Sequence, residues 1–338
     1  MGIKRLNKFL TEKGLITIHN SINDFVLSNK SNGFRVFNTR NKSFKIAVDT
    51  MLYAHKFKYS CNNMMDGFLN QIIGFLKNRI IPIYIIDGFS PFEKKEIVRS
   101  RIKKNDKLIK ELNDNIEILN LEPNNIDLQH KINKLKKSSV KITNNDINML
   151  IELLNLFHIP YIRANGEADA LIGLMYQNKI IDACMSEDMD ILVFGCDKMI
   201  KFKKKKVYEY NFNYILDNLN INKDQFLNMC ILFGCDYVKT LLRKSPSEIY
   251  EMIQNINIQD ILNKYSTSDY LVDFQNARNV FLNAKNNEDN SFQTFKINEN
   301  INNDKLVLYL NNNNVSYKTN LIVDIIYINN QINKLKFI

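Results

Sequence analysis

Cysteine is scarce in this chain of 338 residues: Cys61, Cys184, Cys196, Cys230 and Cys235 are all it has. Their number is odd, none forms a C-x-x-C pair, and none clusters with histidine. That excludes a disulfide framework and a thiolate zinc site, and it fits a reducing, intracellular compartment. No apolar run reaches the ~18 residues that a membrane-spanning helix needs, so no membrane partner is expected. The start, MGIKRL, lacks the apolar core of a secretory leader. Gly2 raises the question of myristoylation, but Leu6 stands where that signal wants Ser or Thr. Internal repeats and linker-like segments are missing too, so residues 1–338 are expected to form one unit. The run Asn311 to Asn314 belongs to a general abundance of Asn, Ile and Lys, a compositional habit and not a functional signal.

What the chain does have is enough apolar residue for a large core, 45% of the total, and a net charge of +10 with a pI of about 9.1. Excess Lys and Arg suits a polyanionic partner. Charge alone leaves a merely basic, soluble protein as the alternative, because many basic proteins bind no nucleic acid.

Two segments predict buried strands, Phe44 to Val48 and Ile80 to Ile86, each followed directly by an aspartate, Asp49 and Asp87. Between them Met65, Phe68, Ile72, Phe75 and Leu76 recur at helical spacing over 64–77. Strand, helix, strand in that order predicts an α/β fold with a central, mostly parallel sheet. A short helix is expected over 3–12. From Phe92 to about Lys141 the texture changes to highly charged helical sequence with few apolar positions, broken near Pro123, which predicts helices projecting from the body. The α/β pattern resumes with a helix over 146–157, a strand at 159–162, a helix over 167–177 and a strand at 182–186. A hairpin follows, turning at Lys203 to Lys206. Beyond Asn211 nearly everything reads as helix: 223–234, 246–254, 257–264, 268–285 and 316–330. This tail is expected to cap the same domain.

Acidic residues sit at the ends of these apolar runs: Asp49 in KIAVDT, Asp87 in IYIIDG, Glu167 and Asp169 in GEADA, Asp188 and Asp190 in SEDMD, Asp236 in FGCDY. Carboxylates gathered at one sheet edge repel one another and resist ionisation unless something neutralises them. Hard divalent cations with oxygen ligands do so, and Mg²⁺ is the usual one beside phosphate. Hydrolysis of a phosphodiester needs an activated water, a stabilised leaving oxygen and charge neutralisation, all of which two metals roughly 3.5–4 Å apart supply. In a parallel sheet the carboxyl ends of the strands face one crevice, so distant residues can meet there. Singly, each acid has a plainer role: Asp87-Gly88 as a turn, Glu167 as a first-turn residue, Asp188 as a helix cap. Together, their repeated placement predicts metal binding.

The same blocks, MGIKRLNKFL, KIAVDT, YIIDG-x-x-P, ANGEADA, SEDMDILVFG and LFGCDY, resemble in order and spacing the flap endonuclease family of structure-specific 5′ nucleases. The resemblance runs over residues 1–338 and weakens after about 240. It implies the PIN-like 5′-nuclease fold, with an N-terminal nuclease part over 1–110, a helical arch over 88–145, an internal nuclease part over 142–238 and a helical DNA-binding region over 223–338. It implies two Mg²⁺, with Mn²⁺ as a substitute. Asp49, Asp87, Glu167 and Asp169 would serve mainly the first ion, and Asp188, Asp190 and Asp236 mainly the second. In the arch the family places a Lys and an Arg on the scissile phosphate at seven and fourteen residues after the strand-end Asp, the offsets of Lys94 and Arg101 from Asp87. Their implied role is stabilisation of developing phosphoryl charge. A solvated surface charge is the alternative for either taken alone.

The chain departs from the family in three places. His55, with Tyr53 nearby, stands where the family often has a base-stacking Tyr; imidazole can stack, or can simply pack. After FGCDY the family's Gly-x-Gly-Pro hairpin is replaced by LLRKSPSE, so Arg243 and Lys244 are candidates for phosphate contact in place of backbone amides. Lys204 and Lys205 at the hairpin turn are candidates for duplex contact, with a merely solvated turn as the other reading. At the carboxyl end QINKLKFI resembles a sliding-clamp peptide, but Lys334 occupies the apolar anchor position, and a clamp partner is not expected.

The expectation is therefore a monomeric, Mg²⁺-dependent structure-specific 5′ endonuclease acting on branched DNA with a 5′ single-stranded flap, in replication, repair or recombination, in a nucleus or at a viral replication site. A 5′→3′ exonuclease or junction resolvase of the same superfamily is the nearest alternative. A catalytically silent nucleic-acid-binding scaffold is the alternative from another class, and an RNA-directed nuclease is a further one.

Overall fold

The two continuous apolar runs become the centre of a sheet, where a strand is buried on both faces and needs no polar alternation. In the computed structural model, which describes residues 2–31, 43–61, 63–89, 94–238, 240, 244–288, 295, 297 and 299–335, β2 (Phe44–Asp49) pairs in parallel with β3 (Ile80–Ile86) along its whole length. β4 (Tyr161–Arg163) extends the sheet beyond β3, and β5 (Ala183–Met185) lies on the other side of β2, both in parallel. β6 (Lys198–Lys203) follows in parallel. β7 (Lys206–Asn211) and β1 (Thr17–His19) close that edge in antiparallel pairing. The sheet has seven strands in the order β1-β7-β6-β5-β2-β3-β4.

The chain runs from β2 outward to β3 and β4, then crosses back to β5. Strand order thus reverses between β2 and β5, and an open sheet offers its binding crevice beyond the carboxyl ends at such a point. Asp49 ends β2 there, and Asp188 follows β5.

Alternation along the strands divides the core in two. On one face Ala47, Ile83, Ile85 and Cys184 pack against α1 (Leu6–Glu12), α8 (Ala168–Gln177), α9 (Asp190–Val193), α10 (Phe212–Leu219), α11 (Lys223–Phe233), α12 (Pro246–Asn255), α13 (Ile258–Tyr265) and α14 (Ser268–Asn283). On the other, Ile46, Val48, Tyr84 and Met185 meet α2 (Ile22–Ser31), α3 (Thr50–Ser60), α4 (Met64–Lys77), α7 (Asn144–Leu156), α15 (Asn303–Asn312) and α16 (Leu321–Leu335). The C-terminal helices do not form one cap: α11 to α14 cover the first face, and α15 and α16 cover the second.

The charged segment forms two helices, α5 (Lys95–Leu121) and α6 (Ile126–Ser138), joined by a short turn at Pro123 and tied by Lys131 to Glu111 at 3.0 Å. α5, of 27 residues, buries only Asn115, so most of its length of about 40 Å stands in solvent. α6 is less detached than expected, because Ile132 and Leu135 are buried.

Several helices lie where the sequence reading placed none: α2, α3, α10 and α15. β1 is a further addition, and the final helix runs five residues later than the 316–330 expected. Among the described residues no helix is long and apolar enough to cross a membrane.

Candidate active site

Six carboxylates from separate parts of the chain, Asp49, Asp87, Glu167, Asp169, Asp188 and Asp236, line one cleft of about 500 Å³ beyond the carboxyl ends of the parallel strands. Lys94, Arg101, His55 and Phe89 line it with them. Asp190 does not reach the surface of this cleft: it is fully buried as the first residue of α9, and neither of its carboxyl oxygens has a hydrogen-bond partner.

Each acid is held by its element. Asp49 caps α3, accepting from the Leu52 amide at 3.2 Å, and its other oxygen accepts from the Ser186 hydroxyl at 2.9 Å. Ser186 in turn accepts from the Asp188 amide at 3.0 Å, and Asp188 Oδ1 accepts from the Asp190 amide at 3.0 Å. One chain of bonds therefore sets the ends of β2 and β5. Asp87 accepts from the Ala168 amide at 2.8 Å, fixing the start of α8, where Glu167 is the N-cap and Asp169 lies in the first turn.

Gly2 and Gly88 permit this crowding. A Cβ on Gly2, whose φ is +76°, would stand 1.8 Å from Asp188 Oδ1 and 2.6 Å from Asp190 Oδ1. A Cβ on Gly88 would stand 2.1 Å from the Ala164 carbonyl oxygen. The Gly88 and Phe89 amides donate to the carbonyls of Gly166 and Asn165 at 2.8 and 3.1 Å, so the loop after β3 and the loop before α8 are zipped together.

Four supporting residues escaped the sequence reading. Beside Ser186 and Gly2 they are Tyr237, whose hydroxyl donates to Glu167 and whose ring lies 5.0 Å from Lys94 Nζ, and Glu288. Glu288 is buried beyond the end of α14 and accepts from the amides of Asn165 and Gly166 at 3.0 and 2.8 Å. Phe281 of α14 packs edge-on against Tyr237 at 5.1 Å. The C-terminal region thus holds the loop that carries Glu167 and Asp169.

The electrostatics are those of an acid cluster short of counter-charge. Burial, then the charge of Asp87, pushes the Asp49 carboxyl up to about 7. Burial, then Asp188, raises Asp169 and Asp190 well above the carboxylate range. One oxygen of Asp169 is also buried without a partner. Two cations at the start of α5 answer part of this deficit: Lys94 Nζ lies 2.5 Å from Glu167 and 4.0 Å from Asp236, and Arg101 Nη2 lies 2.5 Å from Asp236. Burial works against the charge on Lys94, but Glu167 and Asp190 outweigh it and raise the ammonium pKa. His55 is lowered, by burial first and then by Lys58, so its ring is neutral at pH 7.

Among the described residues no three acidic, His or Cys side chains close into a ready-made metal cage. The cleft is open, and its donors are oxygens with unpaired capacity, the donor set that hard divalent cations prefer.

Residues 158–236 match the XPG I-region. The chain is 28% identical over 270 residues to flap endonuclease 1 of Enterocytozoon bieneusi (strain H348), covering 74% of this chain and 73% of that one. It is 28% identical over 311 residues to the probable RAD2-like endonuclease 369L of Invertebrate iridescent virus 6, covering 75% and 71%. The chain is thus similar to flap endonucleases over 74% of its length. Its fold is that of flap endonuclease-1 from Methanococcus jannaschii, with a TM-score of 0.62 at 19% identity over 87% of this chain and 94% of that one. The protein is an enzyme, a nuclease that hydrolyses phosphodiester bonds, and nucleases of this family are metal-dependent.

The remaining expected contacts lie outside the cleft. Lys204 and Lys205 are the exposed turn between β6 and β7, both with positive φ (49° and 68°). Two consecutive left-handed residues make the tight turn that matches strand twist. Lys244 pairs with Glu248 at 3.3 Å, and the following Ser245 caps α12 with Pro246 at its first turn. Arg243 lies outside the described residues.

Proposed function

We propose that this protein is a Mg²⁺-dependent endonuclease that cuts 5′ single-stranded flaps from branched DNA near the junction, leaving a 5′-phosphate. The observation that carries the reading is the cleft itself, where six strand-end and helix-start carboxylates face two cations from a projecting helical arch. Asp49, Asp87, Glu167 and Asp169 would hold one Mg²⁺, and Asp188 and Asp236 a second, with Asp190 buried behind them. When bound, the ions supply an activated water and neutralise charge on the phosphate.

The chain's own residues have separable tasks. Ser186 and the Leu52 amide keep Asp49 aimed at the cleft, and Tyr237 does the same for Glu167. Lys94 and Arg101, paired with carboxylates in the absence of substrate, exchange those partners for the phosphate and stabilise the charge that develops on it. His55 presents a neutral ring to the cleft. Lys204, Lys205, Arg243 and Lys244 add sequence-independent backbone contacts to the duplex.

The test is cleavage of an end-labelled 5′-flap DNA in Mg²⁺, beside a bubble, a four-way junction, a gapped duplex and a flap RNA. Incision near the flap base is expected. Asp188→Asn should abolish it, and Lys94→Ala should lower single-turnover cleavage about 10²–10³-fold. Cutting of the four-way junction alone would move the assignment to a resolvase. Binding without cleavage of any substrate would mark a scaffold.

A further inference from the structure

Phe89 is 87% exposed, more than any other large apolar side chain among the described residues. Apolar surface is favourably removed from water, so a phenylalanine standing in solvent at the mouth of a cleft offers itself to a partner. Its backbone is not free to swing. The Phe89 amide donates to Asn165 at 3.1 Å, and the Gly88 amide donates to Gly166 at 2.8 Å. Gly88 has no room for a side chain against Ala164, and Glu288 holds the facing amides of Asn165 and Gly166 from behind. A ring on so fixed a base is a preformed surface.

The chemistry around it narrows the partner. The same cleft carries Lys94 and Arg101, which suit an anion, and the neutral ring of His55. A ligand that satisfies all of these has a flat apolar face and a phosphate within a few bonds of it. An apolar peptide would make no use of the cations, and a bare phosphate would leave the ring in water. We propose that Phe89 is a stacking platform for an unpaired nucleobase next to the scissile phosphate. The site thereby selects a single-stranded nucleotide, since a base in a duplex already has both faces covered. This rests on the nuclease reading above and adds to it a residue that sets where the strand is held.

The experiment compares wild type with Phe89→Leu, which keeps apolar bulk without a ring, and Phe89→Trp, which restores one. Flap substrates carry either a normal base or an abasic sugar at each nucleotide flanking the cut. With normal bases, Phe89→Leu should raise KM roughly tenfold, with little change in kcat, and Phe89→Trp should recover it. The abasic sugar should cost wild type about as much and cost Phe89→Leu nothing further. A 2-aminopurine at that nucleotide, read in Ca²⁺ without cleavage, should be quenched by wild type and not by Phe89→Leu. Equal abasic penalties in the two proteins, with normal cleavage by wild type, would overturn the stacking site alone. A wild type that neither binds nor cuts any flap would overturn the nuclease reading and this proposal with it.

Discussion

At the scale of the residue, the cluster is governed by protons. Burial raises Asp49 from the usual 3.8 to about 7, and it raises Asp169 and Asp190 as well. A carboxyl with a higher pKa folded than unfolded holds its proton longer in the native state. Its stabilising contribution is therefore greatest at acid pH and falls as pH rises from about 4 to about 7. A divalent cation binds the ionised forms and displaces those protons, so its stabilisation runs the other way. The increase in Tm on adding Mg²⁺ should be small at about pH 5 and fully developed by about pH 8, as scanning calorimetry would report. An increase of the same size at both would contradict proton-coupled binding at this cluster. Asp49 and Asp87 were readable because each directly follows an apolar run, and the others because they fall at a helix start, just after a strand or just after an apolar helix. Ser186 and Tyr237 were not: Ser186 meets Asp49 across 137 residues of chain, and Tyr237 meets Glu167 across 70. Nothing local in the sequence marks such a partnership.

At the scale of the element, the loop before α8 is held from two sides, by the turn after β3 and by Glu288 beyond α14. Glu288→Ala leaves two amides without their acceptor and frees the loop that carries Glu167 and Asp169. Outer partners of metal ligands are typically worth about 10–100-fold in metal affinity or activity. Calorimetric Mg²⁺ or Mn²⁺ binding to Glu288→Ala should weaken by that factor, and cleavage should recover at raised Mg²⁺. A variant with unchanged metal affinity would show that Glu288 serves packing alone. Elements with strong periodicity or continuous apolar runs were legible, α4 and β3 to the residue. α3 was not, because TMLYAHKFKYS carries no apolar stripe: only Thr50, Tyr53 and Ala54 are buried, and the Asp49 cap starts it. α15 was hidden in Asn-rich sequence with only Leu306, Tyr309 and Leu310 turned inward.

At the scale of the whole molecule, a net charge of +10 surrounds an acidic cleft. Cations must then hold the DNA backbone close to carboxylates that repel it. Beyond Lys94 and Arg101, Lys4, Arg5, Lys56, Lys201 and Lys203 line a second cavity of about 810 Å³ that also borders Gly2, and Lys204 and Lys205 extend from the neighbouring turn. Flap binding should weaken steeply with salt. Lys204→Ala combined with Lys205→Ala should reduce the slope of log K against log salt by about 2, one per lost phosphate contact. Anisotropy titrations across a salt series would measure it, and an unchanged slope would assign the turn to solvent.

The sequence by itself determined the α/β class, the parallel centre of the sheet, the projecting charged helices and the acids of the cleft. Each of these is written in local periodicity or in what directly follows an apolar run. Only the tertiary structure decided that Asp190 lies behind the cleft, that Gly2 must be glycine, and that the C-terminal helices divide between the two faces. It alone brought Glu288 to the back of the loop before α8 and left Phe89 in the open. These depend on which distant segments share space, and that is set by packing both faces of one sheet at once, a constraint no short window of sequence contains.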